Sequence, residues 1–368
     1  MAPNIKNFLK IKIPPFPDKK SYFQTKVKSV IDEVTKSLVS HWHDAGKRKI
    51  EQVLDYDTWV RDPKDLIPDH FIDAVKVLSG EIKIENYSPS SPAADNRSKN
   101  PSALPASEAL TICGENFAAV SNSCLFLLHT LLEIVQNVRT LPNLCIGTGA
   151  MVASQASTGL LDYYNRRSCK LIIGAEATKT GAIKTVTARH MAILKRSLEL
   201  IIITAPSVLA LLAPELPKFG IANIRRNMQT IEGDFESHIN LLKTKLTSLL
   251  EPFFEKYIYN YSPQAGSSNF KKFCRQIERF HDAIYAILPP EQLVELLMDV
   301  HGKFKKFMRK ALMTHQIVQD GSPNYVIVAQ DLQFYVGNFS KLKALEMEAV
   351  IIDDIWSNES VNLAPDLI

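Results

Sequence analysis

Hydrophobic residues recur at helical spacing along most of this chain. The first stripe predicts an amphipathic helix over 21–54. Its members are Phe23, Val27, Val30, Val34 and Leu38, and Trp42 extends it. The Asp44-Ala45-Gly46 sequence is expected to break or kink this helix.

The same periodicity predicts seven more helices. They cover 108–139, 148–168, 184–212, 225–260, 269–288, 290–315 and 339–356. The stripe of 269–288 is Phe273, Ile277, Phe280, Ile284 and Ile287, and that of 290–315 is Leu293, Leu297, Val300, Phe304 and Phe307. The pair Pro289-Pro290 is expected to start the second of these helices, and the composition of 319–324 predicts a turn. The chain has only 14 glycines, and no run of short alternating strands with hairpin turns is visible. Helices patterned in this way must pack on one another to bury their stripes, which predicts an all-α fold of helical bundles.

The last predicted helix, 339–356, has its own apolar stripe. The stripe consists of Leu342, Leu345, Ala349, Ile352 and Trp356, which we assign to the structural core. Val350 lies beside the stripe and is expected to be buried. A Val350→Gln substitution would then place an unpaired amide in the core, at a cost of about 1–3 kcal/mol.

One segment is typical of a linker. Residues 86–107 contain four prolines and six serines. Such a segment buries too little apolar surface to offset the entropy of ordering, so disorder is expected. The predicted organisation is an N-terminal helical arm (1–85), this linker, a helical bundle (108–262), a C-terminal bundle (263–356) and a tail (357–368).

Composition narrows the class of protein. Lysine and arginine total 43 and aspartate and glutamate 39, and the net charge of +4 is too small to indicate nucleic-acid binding. The five cysteines show no metal-ligand spacing and are expected to be reduced thiols on the cytosolic side of the cell. Residues 1–20 do not resemble a signal peptide. The apolar stretches 118–135 and 200–214 are too interrupted or too short to span a membrane, so core helices are expected there.

Two stretches resemble nucleotide-binding loops. In "CKLIIGAEATKTGAIKT" (169–185), six residues separate Gly174 from Gly181, whereas a Walker A loop has four followed at once by lysine and serine or threonine. In "GTGAMVA" (147–153), Val152 is too large for the third glycine position of a dinucleotide fingerprint. We therefore predict a helix connector and a helix N-terminus, and no cofactor. Thr185 or Thr187 is expected to cap the following helix.

Candidate metal ligands are also weak. In "HWHD" (41–44) the two histidines are spaced i, i+2 and point to different faces of a helix, unlike an i, i+4 zinc pair. His238 falls on an apolar stripe, where a hydrogen-bonded core or boundary histidine is the better interpretation. No metal site and no catalytic residues are predicted.

The most basic run is "GKFKKFMRK" (302–310). It is either a solvated helix face or a patch for anionic lipid or an acidic partner. The candidate patch residues are Lys303, Lys305, Lys306, Arg309 and Lys310. On the preceding helix, Lys271, Lys272, Arg275 and Arg279 could widen it.

Seven stretches together resemble one known family. They are "VLDYDTWV" (53–60), "YYNRRSCKLIIGA" (163–175), "IKTVTARHMAI" (183–193), "FESHINLLKTKL" (235–246), "FHDAIYAILPPEQ" (280–292), "QDLQFYVGN" (330–338) and "IIDDIW" (351–356). In order and spacing they are similar to the C-terminal part of the vacuolar protein sorting-associated protein 54 family, from about Asp55 to Trp356.

That resemblance implies a non-catalytic subunit of the Golgi-associated retrograde protein (GARP) complex. It implies a rod of stacked helical bundles, as in other multisubunit vesicle tethers of the CATCHR type. The implied function is vesicle tethering in retrograde transport from endosomes to the trans-Golgi network. The implied partners are other GARP subunits and SNAREs, with a peripheral location on the cytosolic face. The coiled-coil region through which the family assembles is not recognised in these residues.

Two other classes of function remain open at this level. The basic run favours a peripheral module that binds anionic lipid, and the 174–185 loop would favour a nucleotide-dependent enzyme.

Overall fold

The computed structural model describes residues 20–60, 67–87, 110–112, 114–259, 261–263, 268–345 and 350–356. Within them, nine α-helices of ten or more residues carry the fold. They are α1 (Lys20–Tyr56), α2 (Asp69–Leu78), α3 (Asn122–Arg139), α4 (Asn143–Ile172), α5 (Ala188–Leu212), α6 (Lys218–Ser248), α7 (Ser268–Ile284), α8 (Pro290–Thr314) and α9 (Pro323–Phe339). The described strands are β1 (Thr111–Ile112) and β2 (Glu115–Asn116), an antiparallel pair. The predicted all-α fold class is confirmed.

Short helical turns connect these elements. Glu176–Lys179 and Glu251–Phe254 are single α-helical turns, and Glu255–Tyr259 is a π-helical turn. Four further turns are 3₁₀-helical: Ile84–Asn86, Ala213–Glu215, Lys343–Leu345 and Asp353–Trp356.

The first bundle is built around α1 and α4, which run in the same direction. Thr148 Oγ1 donates to Asp32 Oδ1 at 2.7 Å, and farther along both helices Arg167 Nη2 donates to Asp55 Oδ1 at 2.7 Å. Helices α3, α5 and α6 pack against this pair, and α2 packs on α3 and α5. The described residues of the predicted N-terminal arm, 20–60 and 67–85, therefore share one core with α3–α6. Residues 88–107 of the predicted linker lie outside the described residues.

Helix α1 differs from its prediction in two ways. It continues without a break through Asp44-Ala45-Gly46 to Tyr56. Its buried face is the row Thr35, Val39, Gly46, Ile50 and Leu54, whereas Val30 and Val34 of the predicted stripe are 54% and 45% exposed. The physical reason lies at Gly46, where an added Cβ would lie 2.7 Å from Thr130 Cγ2 of α3, so the glycine faces a neighbouring helix at close range.

The segment before α3 is not the helix predicted from residue 108. Residues 111–112 and 115–116 pair as antiparallel strands, and Phe117 N donates to Leu110 O at 2.7 Å beside them. Asn116 Oδ1 accepts from Ala118 N at 2.7 Å, a side-chain turn that competes with helix. Helix α3 begins only after Ser121, whose hydroxyl caps Cys124 N at 3.1 Å.

The second bundle has an aromatic core. The predicted stripe of α7, from Phe273 to Ile287, is buried along its whole length, and so is the stripe of α8 as far as Phe304. Phe304 stacks on Tyr335 of α9 with ring centroids 3.7 Å apart. Helix α8 begins at Pro290, as predicted from the proline pair.

The helix predicted at 339–356 is wrong. The helix at this end of the chain is α9, which begins at Pro323 after the N-cap Ser322 and ends at Phe339. Beyond it, 343–345 and 353–356 are 3₁₀ turns, and 350–352 have no helical structure. The turn-forming composition of 319–324 concealed a helix start, because Ser-Pro is also a favourable N-cap and N1 pair.

Candidate interaction site on the second bundle

The basic run 302–310 lies on α8, where four of its five patch side chains contact the chain itself. Lys303 Nζ lies 2.7 Å from Glu251 Oε1, and this bond lowers the pKa of the Glu251 carboxyl. Lys310 Nζ lies 4.7 Å from the centroid of the Tyr259 ring. Lys306 is exposed.

The other two basic side chains bind residues 350–356, which we call the C-segment. Lys305 Nζ donates to Asp354 Oδ2 at 2.8 Å, and Arg309 Nη2 donates to the Asp354 carbonyl at 2.6 Å. Since Asp354 caps both cations, this part of the basic run is occupied by an acidic segment of the same chain.

His301 extends this row by one more helical turn. Its Nε2 lies 3.0 Å from the Ile351 carbonyl and its Nδ1 lies 3.1 Å from Tyr335 Oη. A carbonyl only accepts, so Nε2 carries the proton and Nδ1 accepts from the tyrosine hydroxyl. Burial lowers the pKa of His301, which agrees with this neutral form.

Apolar contacts complete the attachment of the C-segment. Ile355 is 2% exposed, and the Trp356 ring packs edge-on against Tyr325 with centroids 5.3 Å apart. On the α9 side the fit is looser, because a cleft of about 280 Å³ separates residues 350–353 from Ala329, Gln333 and Val336.

The residues assigned to the core of the last helix now have definite places. Leu342 and Leu345 are buried, while Val350, Ile352 and Trp356 are half-buried and Ala349 lies outside the described residues. Val350 is therefore neither helical nor buried as expected. It belongs to the C-segment, which covers the surface of the bundle.

The second basic group lies on α7. Lys271, Lys272, Arg275 and Arg279 are all exposed, and Lys271 Nζ lies 6.0 Å from the Phe334 ring centroid of α9. Among the described residues, no ion pair of these four cations is found.

The loop that resembles a phosphate-binding site is a helix connector. Its apolar run Leu171-Ile172-Ile173 is the end of α4, so no strand leads into the glycine. Arg167 Nη1 donates to Glu176 Oε2 at 2.8 Å and holds the following turn. Thr187 caps α5 in a capping box with His190, as the sequence predicted.

The histidines give no metal site. His238 Nδ1 lies 2.9 Å from Asn165 Oδ1, which confirms a hydrogen-bonded boundary histidine. His41 is exposed, and His43 Nδ1 lies 3.1 Å from its neighbour Asp44. In the described part of the chain, no group of three or more His, Cys, Asp or Glu side chains could hold a metal ion.

A buried carboxylate that the sequence did not reveal joins α1 to α3. Asp57 is 7% exposed, and its two oxygens accept from Trp59 N and Ser123 N, each at 2.9 Å. Ser123 lies in the first turn of α3, where a negative charge is favourable. Asp57 lies beyond the periodic part of α1, two residues before Trp59, whose φ is 51°. Hydrophobic periodicity could therefore not identify it as a buried residue.

A buried ion network joins the two bundles. Arg196 of α5 is 1% exposed, donates to Glu199 Oε2 at 2.6 Å and lies 4.1 Å from the Phe117 ring centroid. Lys195 Nζ contacts both Glu199 and Gln292 of α8, and Gln292 Nε2 donates to Glu199 Oε1 at 3.0 Å. One amide of the second bundle therefore completes the hydrogen bonding of charges in the first.

Within the described residues, two helical stretches are long and apolar enough to cross a membrane by length and composition alone, Asn143–Ile172 and Ala188–Glu215. About half of the apolar window is buried in each case, 50% and 44%. Both stretches contribute core residues to the first bundle, so this test by itself assigns no membrane span.

Comparison with known proteins gives a consistent result. Residues 114–252 match the family model described as "Vps54-like protein". The chain is 29% identical to human vacuolar protein sorting-associated protein 54 over 325 residues, which is 88% of this chain and 31% of that protein. The Drosophila melanogaster protein of the same name is 26% identical over 86% of this chain and 31% of its own length. The chain thus spans about a third of the length of these relatives.

Solved structures were compared as well. A structure described as "C-terminal domain of Vps54 subunit of the GARP complex" is 30% identical to this chain. The match covers 98% of that structure and 35% of this chain, with a TM-score of 0.32. A second structure, "Vps54 C-terminal domain", is 29% identical, with 97% of it and 37% of this chain covered and a TM-score of 0.33.

Proposed function

This chain belongs to the Vps54-like family, and from that premise we propose that it is a non-catalytic part of a vesicle-tethering subunit of the GARP complex. The observation that supports this most directly is the match to curated Vps54 proteins along nearly nine-tenths of the chain. The solved Vps54 domain is named as part of a GARP subunit. The proposed partners are accordingly the other GARP subunits, and SNAREs at the point where vesicles fuse.

The proposed place of action is the cytosolic face of endosomes and the trans-Golgi network, in retrograde transport. The chain would work through contacts of its helical surfaces. Two features support a binding role over catalysis. The loop that most resembled a nucleotide site connects two helices, and the buried polar groups Asp57, Arg196 and Asp331 are each hydrogen-bonded to a residue distant in the sequence.

The test uses the full chain with a fluorescent tag, expressed in cells depleted of their own Vps54 and in undepleted cells. We expect enrichment at markers of endosomes or the trans-Golgi network, and recovery of GARP subunits with the purified tag. A diffuse distribution with no recovered GARP subunit in both cell types would overturn the proposal. A tagged chain with the Asp234→Lys substitution on α6 controls for nonspecific charge effects, since that side chain is exposed.

A further inference from the structure

Three side chains on successive turns of α8 hydrogen-bond to the C-segment. His301, Lys305 and Arg309 are spaced i, i+4, i+8 and lie on one face of the helix. They donate to the Ile351 carbonyl, the Asp354 carboxylate and the Asp354 carbonyl, at 3.0, 2.8 and 2.6 Å. We call the surface made by these three side chains and the adjoining side of α9 the α8 groove.

The donors define what the α8 groove recognises. Two of them bind main-chain carbonyls of a segment that is neither α-helix nor sheet, and any sequence can supply these groups. The carboxylate of Asp354 supplies charge, and the Ile355 side chain next to it is 2% exposed. The recognised chemistry is therefore a short acidic segment in which an aliphatic residue follows an aspartate.

One side of the C-segment is open to solvent. Ile351 is 58% exposed, and Asp353 and Asp354 are exposed as well. The cleft of about 280 Å³ lies between residues 350–353 and α9, so this side of the segment is poorly packed. Segments with few buried contacts and solvent-exposed hydrogen bonds open at low free-energy cost.

We propose that the α8 groove is a docking site for an acidic peptide segment of a partner protein, with the pattern Asp followed by an aliphatic residue, and that the C-segment occupies it in cis. Charge complementarity supports this occupant, because the run 302–310 carries five cations and the described C-segment carries two carboxylates. The inference goes beyond the proposed function and holds for the chain whether or not it assembles with GARP subunits.

Because the C-segment is part of the same chain, a free peptide should bind the wild-type groove only weakly. A segment joined by a short connection competes at an effective concentration of roughly millimolar, so a free peptide binds the wild-type chain only weakly. Loosening the C-segment should therefore expose a site that was already present. It should do so without changing the side chains of α8.

The experiment titrates a fluorescein-labelled peptide, VIIDDIW, into the full-length chain and follows fluorescence anisotropy. The opened variant is Asp354→Lys, which removes the carboxylate that accepts from Lys305 and lies 3.8 Å from Arg309 Nη2, and places a third cation beside them. The matched control is Asp353→Lys, which has the same change of charge at the neighbouring exposed position. We expect Asp354→Lys to bind the peptide about tenfold more tightly than the wild type or the control. Replacing the second aspartate of the peptide with lysine should abolish this binding.

Equal peptide affinity of the wild type, Asp354→Lys and Asp353→Lys would overturn the proposal. Thermal melts followed by circular dichroism show whether each variant is folded. A second measurement uses the wild type itself: excess peptide should speed hydrogen exchange of amides 350–356, and unchanged exchange at saturating peptide contradicts displacement.

Two other occupants have their own readouts. A wild-type dimer, seen by light scattering and dissolved by the peptide, would mean that the groove takes the C-segment of a second copy. Vesicles of phosphatidylcholine and phosphatidylserine that bind Asp354→Lys more than Asp353→Lys, with no peptide binding, would mean a lipid surface. Either result overturns the partner peptide as occupant.

Discussion

The Asp57 carboxylate hydrogen-bonds to the backbone at two places in the fold. It accepts from Trp59 N, where the chain turns after α1, and from Ser123 N in the first turn of α3. We predict that Asp57→Ala lowers the free energy of unfolding by about 2–4 kcal/mol, because it leaves two buried N–H donors without an acceptor. Urea denaturation measures the change.

The control for this prediction is Asp234→Ala, an exposed position on α6. It should change stability by less than about 0.5 kcal/mol. If Asp57→Ala unfolds at the same urea concentration as Asp234→Ala, the carboxylate does not hold α1 and α3 together.

A second residue-scale prediction concerns pH. Burial, with smaller contributions from the neighbouring His70 and Lys49, lowers the pKa of His129 to about 4. Glu133 Oε2 is 3.8 Å from Nδ1, too far for a hydrogen bond that would restore the charged form. The unfolded chain takes up this proton near pH 6.5 and the folded chain only near pH 4, so stability is full above pH 6.5 and falls as the pH drops through this window.

The loss attributable to His129 should reach about 3 kcal/mol at the low end of the window. Glu133 acts in the opposite direction, because burial raises its pKa and the folded state then binds that proton more readily. Unfolding free energies measured between pH 7 and pH 4 should therefore show a shallower slope in His129→Leu than in the wild type. The exposed His41→Leu is the control, and an equal slope in both variants would contradict the assignment.

At the residue scale, the sequence revealed polar groups that act locally and missed those that act across the fold. Thr187 could be predicted as a helix cap because its partner is three residues away. Asp57 and Arg196 could not, since their partners Ser123 and Glu115 are 66 and 81 residues away. No local pattern encodes such a pairing, and a buried charge looks the same in sequence as a solvated one.

At the element scale, the contact of α1 with α3 depends on the absence of one side chain. A Cβ on Gly46 would lie 2.7 Å from Thr130 Cγ2, and Thr130 is held in place by its hydroxyl bond to Phe126 O at 2.9 Å. We predict that Gly46→Ala destabilises the protein by about 1–3 kcal/mol, although alanine favours helix.

A double-mutant cycle separates packing from helix propensity. Thr130→Ser removes the methyl group and keeps the hydroxyl, so in that background the cost of Gly46→Ala should vanish. Gly233→Ala on α6 meets nothing within 4 Å and should stabilise by up to about 1 kcal/mol. Equal costs of Gly46→Ala in both backgrounds would show that the two helices are not in close contact there.

The hydrophobic periodicity predicted that most of the helices exist. It was less accurate about which face of a helix is buried and where the helix begins and ends. The stripes of α7 and α8 were right because each of these helices has a single apolar face. In α1 the actual buried face is shifted by one residue, because Thr35 and Gly46 belong to it and are not hydrophobic. The apolar stretch 117–120 is buried outside any helix, so its composition alone favoured the wrong structure.

At the scale of the whole molecule, the amide of Gln292 is one of the contacts between the two bundles. Gln292 of α8 hydrogen-bonds both Lys195 and Glu199 of α5, and Arg196 next to them is almost fully buried. Removing the amide leaves the buried Lys195 and the half-buried Glu199 each short of one hydrogen bond. We predict that Gln292→Leu lowers the free energy of unfolding by about 1–3 kcal/mol.

Hydrogen exchange in Gln292→Leu shows whether the loss of stability is shared by both bundles, and so whether they unfold together. The buried apolar residues of both bundles form one continuous cluster, which favours a single cooperative unit. Slowly exchanging amides of α4, in the first bundle, and of α9, in the second, should then lose the same protection in Gln292→Leu. Glu291→Leu, at the exposed neighbouring position, is the control and should leave both unchanged. If protection falls only in the second bundle, the two bundles unfold separately and the network around Glu199 joins units that are stable on their own.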